Sequence, residues 1–327
     1  MDHRPHLFFT CPGVVICSVC CLLSLGLVAT SVFGQEPPAV SLNPIAEPYS
    51  GPALMKQVVA AIQRHRSVSA KIRHRTDLFG QQLVGSGLYL QQQSTRGLQV
   101  RFSLSLKAGD QPAHLLHVCD GRYLWMSDNL DGNQRLSRLD LPTIRRAEKE
   151  QGGGPYSYSL GGGLPRLLVN LQRSFAVASP QAVTFQEVPM WALALRWHPQ
   201  RLRELVPDAN LVDEQGRIKT DELPPQFPDR VFLLVGQDDL FPYHIDFRRT
   251  ESDRGLAVVD ARSPSRSVAT MELFEVQYNA AIDPVRFAYV PPKNVQFENQ
   301  TDDYLRRMQA LKSTQKKRRF VKGDALN

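Results

Sequence analysis

The residues able to do chemistry in this 327-residue chain are few and scattered. A serine nucleophile of the α/β type sits on a strained G-x-S-x-G turn, and the sequence contains none. Two glycine triplets, 152–154 and 161–163, lack the Gly-Lys-Ser/Thr ending that cradles phosphates, so residues 152–163 read as a glycine-rich loop. His114 and His117 are three apart on an expected strand and point to opposite faces, so they cannot chelate one metal. His117 and Cys119 do share a face. That pair resembles part of a metal site but lacks a third ligand, and a partly buried polar face is the simpler reading. Asp213, Gly216, Ile218 and Glu222 have the spacing of the latter part of an EF-hand loop. Position one would be Leu211, which offers no ligand oxygen, so a solvated acidic loop is expected there. The expectation is therefore no catalytic residue, no metal, no cofactor and no enzyme activity.

Composition narrows the remaining classes. Hydrophobic residues make up 42% of the chain and charged residues 22%, which excludes a disordered or collagenous protein. The net charge of +7 is confined to one end. Residues 304–327 hold eight basic side chains and the single acid Asp324, which leaves 31 basic against 31 acidic residues in everything before them. A nucleic-acid-binding body is therefore not expected. The cluster Lys316, Lys317, Arg318 and Arg319 has two readings. One is docking on anionic headgroups, with each basic residue near the surface worth about 1 kcal/mol. The other is a solubilising end.

Residues 5–35 carry no Asp, Glu, Lys or Arg, and 14–28 form a nearly continuous apolar run. This reads as a secretory signal with cleavage after Gly34, giving a periplasmic or secreted protein; the alternative is an uncleaved N-terminal membrane anchor. Four of the five cysteines lie in this segment, so the mature chain keeps Cys119 alone, without an intramolecular disulfide. Cys119 is expected to be a buried apolar residue.

Residues 35–52 are rich in proline and polar side chains and read as a linker. Leu54, Val58, Val59 and Ile62 recur at helical spacing, which predicts an amphipathic helix over 53–65. The period then becomes two. Val68, Ala70 and Ile72 alternate with polar neighbours, 84–90 puts Gly85 and Gly87 on one face where backbones approach closely or bend, and 98–107 is a half-buried strand. Strands at 115–119 and 123–127 flank an Asp120-Gly121 turn. Another strand is expected at 135–141, helices at 142–150 and 164–172, and strands at 182–188, 190–197, 230–236, 243–250, 256–261 and 268–278. Residues 207–229 read as a polar, proline-containing insertion. Thr301 is the expected N-cap of a C-terminal helix that leads into the basic tail. Many strands on short turns predict an antiparallel sheet that bends over a cavity or closes. The aromatics Phe102, Trp125, Trp191 and Trp197 on these strands fit either an ordinary core or the lining of a lipid pocket.

The signal segment, one helix, a strand with Gly85-Ser86-Gly87, the Asp120-Gly121-Arg122-Tyr123-Leu124-Trp125 turn and the run from Asn279 through Asp283 and Phe287 to Pro291-Pro292 together resemble the periplasmic outer-membrane lipoprotein carriers, the LolA-like family. The stretch 164–177 looks like that family's lid helix. The resemblance covers 54–297 in element order. It implies a mainly β fold with some α, an incomplete antiparallel β-barrel (half-barrel) over 53–300 with an N-terminal helix and lid helices, whose concave face receives acyl chains. Its implied cavity residues are Val68, Ile72, Val100, Phe102, Leu104, Trp125, Trp191 and Leu193. Asp120, Gly121, Trp125, Asn279, Asp283, Phe287, Pro291 and Pro292 would be structural signature positions. One departure stands out: Gln93-Ser94 occupies the place of the carriers' Arg-Pro, whose Arg helps to control lipoprotein loading. The function expected is an exported, non-enzymatic and monomeric carrier of lipid or lipoprotein acyl chains. The alternative is an envelope protein-interaction or stress-sensing module on the same fold.

Overall fold

The computed structural model describes residues 41–42, 49–78, 81–108, 111–130, 133–150, 162–206, 211–224, 227–250, 265–310 and 313. The expected signal segment, most of the glycine-rich loop, the strand at 256–261 and the tail residues Lys316, Lys317, Arg318 and Arg319 lie outside the described residues.

In chain order the elements are β1 (Ser41–Leu42), α1 (Gly51–Arg64), β2 (Ser67–Leu78), β3 (Gln81–Ser94), β4 (Gly97–Ala108), β5 (Gln111–Cys119), β6 (Tyr123–Leu130) and β7 (Asn133–Asp140). Then come α2 (Leu141–Glu150), α3 (Gly163–Ser174), β8 (Phe175–Val177), β9 (Gln181–Phe185), β10 (Val188–Trp197), α4 (Pro199–Leu205), β11 (Arg230–Gly236), β12 (Pro242–Thr250), β13 (Ser265–Tyr278) and β14 (Glu298–Asn299). A last helix, α5, covers 301–310.

The fold is mainly β. The strands form one sheet in the order β1-β9-β10-β11-β12-β13-β2-β3-β4-β5-β6-β7-β14, with β8 beside β10. The pairings are antiparallel except β14 on β7. Its two edges do not meet, so the sheet curls without closing. Several strands are longer than the apolar alternation that signalled them. β3 runs to Ser94 because its polar ends, Gln81 and Gln91 to Ser94, still fill the ladders with β2 and β4.

Register assigns each side chain to a face, because alternate residues of a strand point to opposite sides. The side on which Val68, Ala70 and Ile72 lie also carries Tyr89, Val100, Leu104, Leu115, Leu193, Leu233 and Leu273, and these belong to one continuous core. Gly85 and Gly87 sit on this concave side, between His74 and Ile72 of β2 and Leu106 and Leu104 of β4. A Cβ on Gly87 would lie 1.8 Å from the Ser103 carbonyl oxygen, and one on Gly85 2.1 Å from that of Ser105. The absent side chains let adjacent strands crowd together where the sheet bends, as the glycine spacing predicts.

The other side is covered differently. After β13 the chain turns at Asn279 (φ 56°), whose Oδ1 accepts from the Arg66 amide at 2.8 Å. Asp283 accepts from the Val285 amide at 3.0 Å and starts a 3₁₀ turn, Pro284–Phe287, that lies against β4 and buries Phe287 completely. The Arg138 guanidinium sits 4.6, 5.4 and 4.7 Å from the centres of the Tyr123, Trp125 and Phe297 rings, and Trp125 also packs on Tyr289 at 5.5 Å. Pro292 accepts from Val295 N at 3.2 Å, turning the strap toward β14. At the Asp120-Gly121 turn, the Asp120 carboxylate accepts from the amides of Arg122 and Tyr123 at 2.8 and 2.7 Å, and Gly121 takes φ 96°.

Two expectations are corrected. Thr301 lies in the first turn of α5 and does not cap it; its hydroxyl accepts from Asp140 N and donates to Asn299 Oδ1, which ties the helix to β7. The insertion is also more than a solvated loop. Leu211, Val212, Leu223 and Phe227 are buried in the main core, with Leu202 and Leu205 of α4 beside them in sequence. Asp213 closes only a local turn, in which its Oδ1 accepts from Arg217 N at 2.7 Å and Gly216 has φ 79°. The apolar residues of this segment are too widely spaced for either period to reveal them.

Candidate functional site

The concave face is an apolar floor with three covers. α1 buries Leu54, Met55, Val58, Val59 and Ile62, and its first residue, Gly51, approaches Ala178 so closely that a Cβ would lie 2.0 Å from the carbonyl oxygen. α3 packs beside α1 and buries Leu164, Leu167, Leu168 and Leu171. Its N-terminus is moored to the floor: the Tyr89 hydroxyl accepts from Leu164 N at 2.8 Å and donates to Gln91 Oε1 at 2.6 Å. Burial holds that phenol protonated, well above the usual tyrosine range. Gly163 (φ 53°) makes the fit possible, since a Cβ there would lie 2.3 Å from the Tyr89 hydroxyl.

The third cover is the insertion, and one side chain holds it. Arg249 of β12 donates to the carbonyls of Pro224 at 2.5 Å, Leu223 at 2.6 Å, Thr220 at 3.2 Å and Phe227 at 3.4 Å. Trp197 Nε1 donates to Pro228 O at 2.7 Å, and Asp229 accepts from Thr250 N at 2.9 Å, so the segment is fixed at its exit as well. Nothing in the residue pattern of β12 separates Arg249 from a solvent-facing charge.

Beneath these covers Val68, Ile72, Val100, Leu104, Trp191 and Leu193 are all buried on the concave side, and Phe102 is partly buried there. Trp125 is a correction. It pairs with Val118 and Arg138, opposite in phase to Leu124 and Met126, and faces the strap on the convex side. The Asp-Gly turn fixes this phase, because it sets Cys119 opposite Leu124.

Two polar features interrupt the floor. His74 is 3% exposed, with its Nε2 2.6 Å from the Thr76 hydroxyl. Burial lowers its pKa from 6.5 to about 4, against the opposing pull of the Thr270 backbone. The unfolded chain therefore binds the proton that the folded chain refuses. Stability from this residue is full above pH 6.5 and falls as pH drops toward 4. Urea melts of the His74→Leu chain are expected to show a flatter loss of stability between pH 7 and pH 4.5 than wild type; parallel pH profiles would contradict this assignment.

The second feature lies on β4 to β7, where the covers stop short. Phe102, His117, Asp128 and Ser137 are only partly buried, and Arg135 is exposed. His117 Nε2 stands 3.4 Å from Asp128 Oδ1, and the Phe102 ring lies 6.1 Å from the imidazole. His117 and Cys119 do share a face, as expected, but histidine's charged neighbour is Asp128. Cys119 is sealed off, with its Sγ 3.5 Å from Leu98 O, and burial pushes the thiol up to about 11. Among the described residues no group of three or more His, Cys, Asp or Glu side chains could hold a metal ion. Asp128 and Arg135 were not legible as site residues. Register was the available signal, since carrying the Cys119 to Leu124 pairing outward sets Leu115 opposite Asp128, while the separate β6 to β7 pairing sets Asp128 opposite Arg135.

Asp239 Oδ2 accepts from Tyr243 and Tyr278 at 2.6 and 2.9 Å while its Oδ1 accepts from Phe241 N at 3.0 Å, which closes the turn between β11 and β12. No helix among the described residues is long and apolar enough to cross a membrane.

No family model matches the chain, and no curated protein does. Solved structures similar to it include the Mycobacterium tuberculosis lipoprotein LppX, at 13% identity over 72% of this chain and 99% of that one, with a TM-score of 0.32. A putative outer membrane lipoprotein-sorting protein domain from Vibrio parahaemolyticus matches at 6% identity over 72% of this chain and 95% of that one, TM-score 0.30. A DUF1329 family protein from Desulfovibrio piger matches at 10% identity over 73% and 96%, TM-score 0.31. Likeness at this level fixes no ligand and no partner.

Proposed function

We propose that the chain is an exported, non-enzymatic binding protein that receives an apolar chain, such as a lipid or lipoprotein acyl chain, on the concave face of its half-barrel. The observation that carries this reading is the uneven cover of that face. Apart from His74 and the polar group around His117 and Asp128 the floor is apolar, its β9 to β3 portion lies under α1, α3 and the insertion, and on β4 to β7 Phe102, His117 and Asp128 stay partly open. An acyl chain laid there extends an existing apolar surface, and each methylene it buries contributes about 0.8 kcal/mol.

The mature chain, purified under native conditions and examined by native mass spectrometry with lipid extraction, is expected to carry a co-purifying amphiphile or to take up added fatty acid at one site. A chain that neither retains nor takes up lipid, and that pulls down a protein partner instead, would replace the carrier reading with the interaction-module one.

A further inference from the structure

We infer that His117, Asp128 and Arg135 form a headgroup subsite for a zwitterionic amphiphile of the phosphoethanolamine type. This deepens the concave-face reading and rests on it. Three observations converge. The subsite lies where the apolar floor ends: Asp128 is paired with Leu115, and His117 with Met126, both buried. The polar end of a bound amphiphile would therefore meet these side chains first.

Asp128 and Arg135 face each other across β6 and β7 on the same side of the sheet, yet no ion pair joins them. Opposite charges at directly paired positions ordinarily attract across about 5 Å. Here the carboxylate turns instead toward His117, and Arg135 stays exposed. The third observation is that His117 Nε2 and Asp128 Oδ1 are both inaccessible to solvent and have no hydrogen-bond partner, although they stand 3.4 Å apart. Buried polar atoms left without partners are uncommon and costly.

The chemistry that answers this arrangement carries a donor cation and an anion a short distance apart. An ammonium group donates to the other Asp128 oxygen, Oδ2, the adjoining phosphate accepts from the Arg135 guanidinium, and His117, facing the sealed Oδ1, orients the carboxylate. The short ethanolamine span between phosphate and ammonium suits the cross-strand spacing of about 5 Å. A bare fatty acid could answer Arg135 with its carboxylate but would leave Asp128 unanswered, and an uncharged diglyceride would leave both charges unanswered.

Isothermal titration of the mature protein with three soluble dihexanoyl lipids tests the assignment: phosphatidylethanolamine, phosphatidylglycerol and diacylglycerol. Wild type is expected to bind phosphatidylethanolamine about tenfold more tightly than either of the others, one charge-assisted contact being worth about that factor. Asp128→Asn should abolish the preference over phosphatidylglycerol. Arg135→Gln, at an exposed position where folding is not at stake, should weaken both phospholipids against the diglyceride. Equal affinity of wild type for all three lipids, or a parallel loss for all three in both variants, would overturn the subsite while leaving the apolar reading intact. Binding of none would overturn both.

Discussion

A Gly87→Val chain is expected to lose about 3 kcal/mol of stability, at the upper end of what overpacking a core costs. The new Cβ would lie 1.8 Å from the Ser103 carbonyl oxygen and 2.8 Å from its carbon. Those are backbone atoms in a β3 to β4 ladder that continues on both sides, so no rotamer change relieves the clash and the strands must part. Gly87 has no positive φ, which means the requirement is for space and not for an unusual backbone conformation. Val84→Ala, on the other face of the same strand where the side chain is 45% exposed, is the control and should change stability by less than about 0.5 kcal/mol. Urea denaturation of the two variants measures both, and a Gly87→Val midpoint equal to wild type would refute the close-approach account of the bend.

Arg249→Met should free the insertion from the concave face. The guanidinium satisfies carbonyls at Thr220, Leu223, Pro224 and Phe227, and methionine keeps much of the volume while offering no donor. Leaving several partly buried carbonyls without partners costs about 3 kcal/mol. The loss is concentrated in one segment, so it should appear in hydrogen exchange as faster exchange of amides in 211–224 than in β2 to β5. Lysine at this position restores little, because a single ammonium cannot reach four acceptors set around a planar fork. Wild-type protection of 211–224 in the methionine variant would show that its apolar residues alone hold the cover.

Much of the architecture was legible because periodicity reports burial directly. The alternation of Val68, Ala70 and Ile72, or of Leu98 to Leu106, follows from one face meeting a core, and the helical spacing from Leu54 to Ile62 follows from the same cause. The Asp120-Gly121 turn was legible as chemistry, since it needs a side-chain acceptor and a positive φ. What pattern alone could not supply was the phase between strands. Trp125 looked like a lining residue because its neighbours are apolar, and only the register of the hairpin puts it under the C-terminal strap. Long-range anchoring was equally hidden. Arg249 reaches carbonyls more than twenty residues away, and the buried Leu211, Val212, Leu223 and Phe227 are separated by charged and proline residues that mask their contribution. The His117 to Asp128 pair was half legible: strand alternation puts the histidine on the face of Cys119, and its charged neighbour lies one strand further on.

The central claim is that ligand enters on the concave face and not on the convex one. Two single-tryptophan chains decide it, one retaining Trp125 alone and the other carrying Phe102→Trp with the native tryptophans replaced by phenylalanine. Titration with a fatty acid brominated along its chain should quench the fluorescence at position 102 and leave that of Trp125 unchanged, because Phe102 lies partly open beside His117 whereas Trp125 packs on Tyr289 and Phe297. Quenching of Trp125 with position 102 unaffected, or quenching of neither, would contradict a concave acyl-chain site.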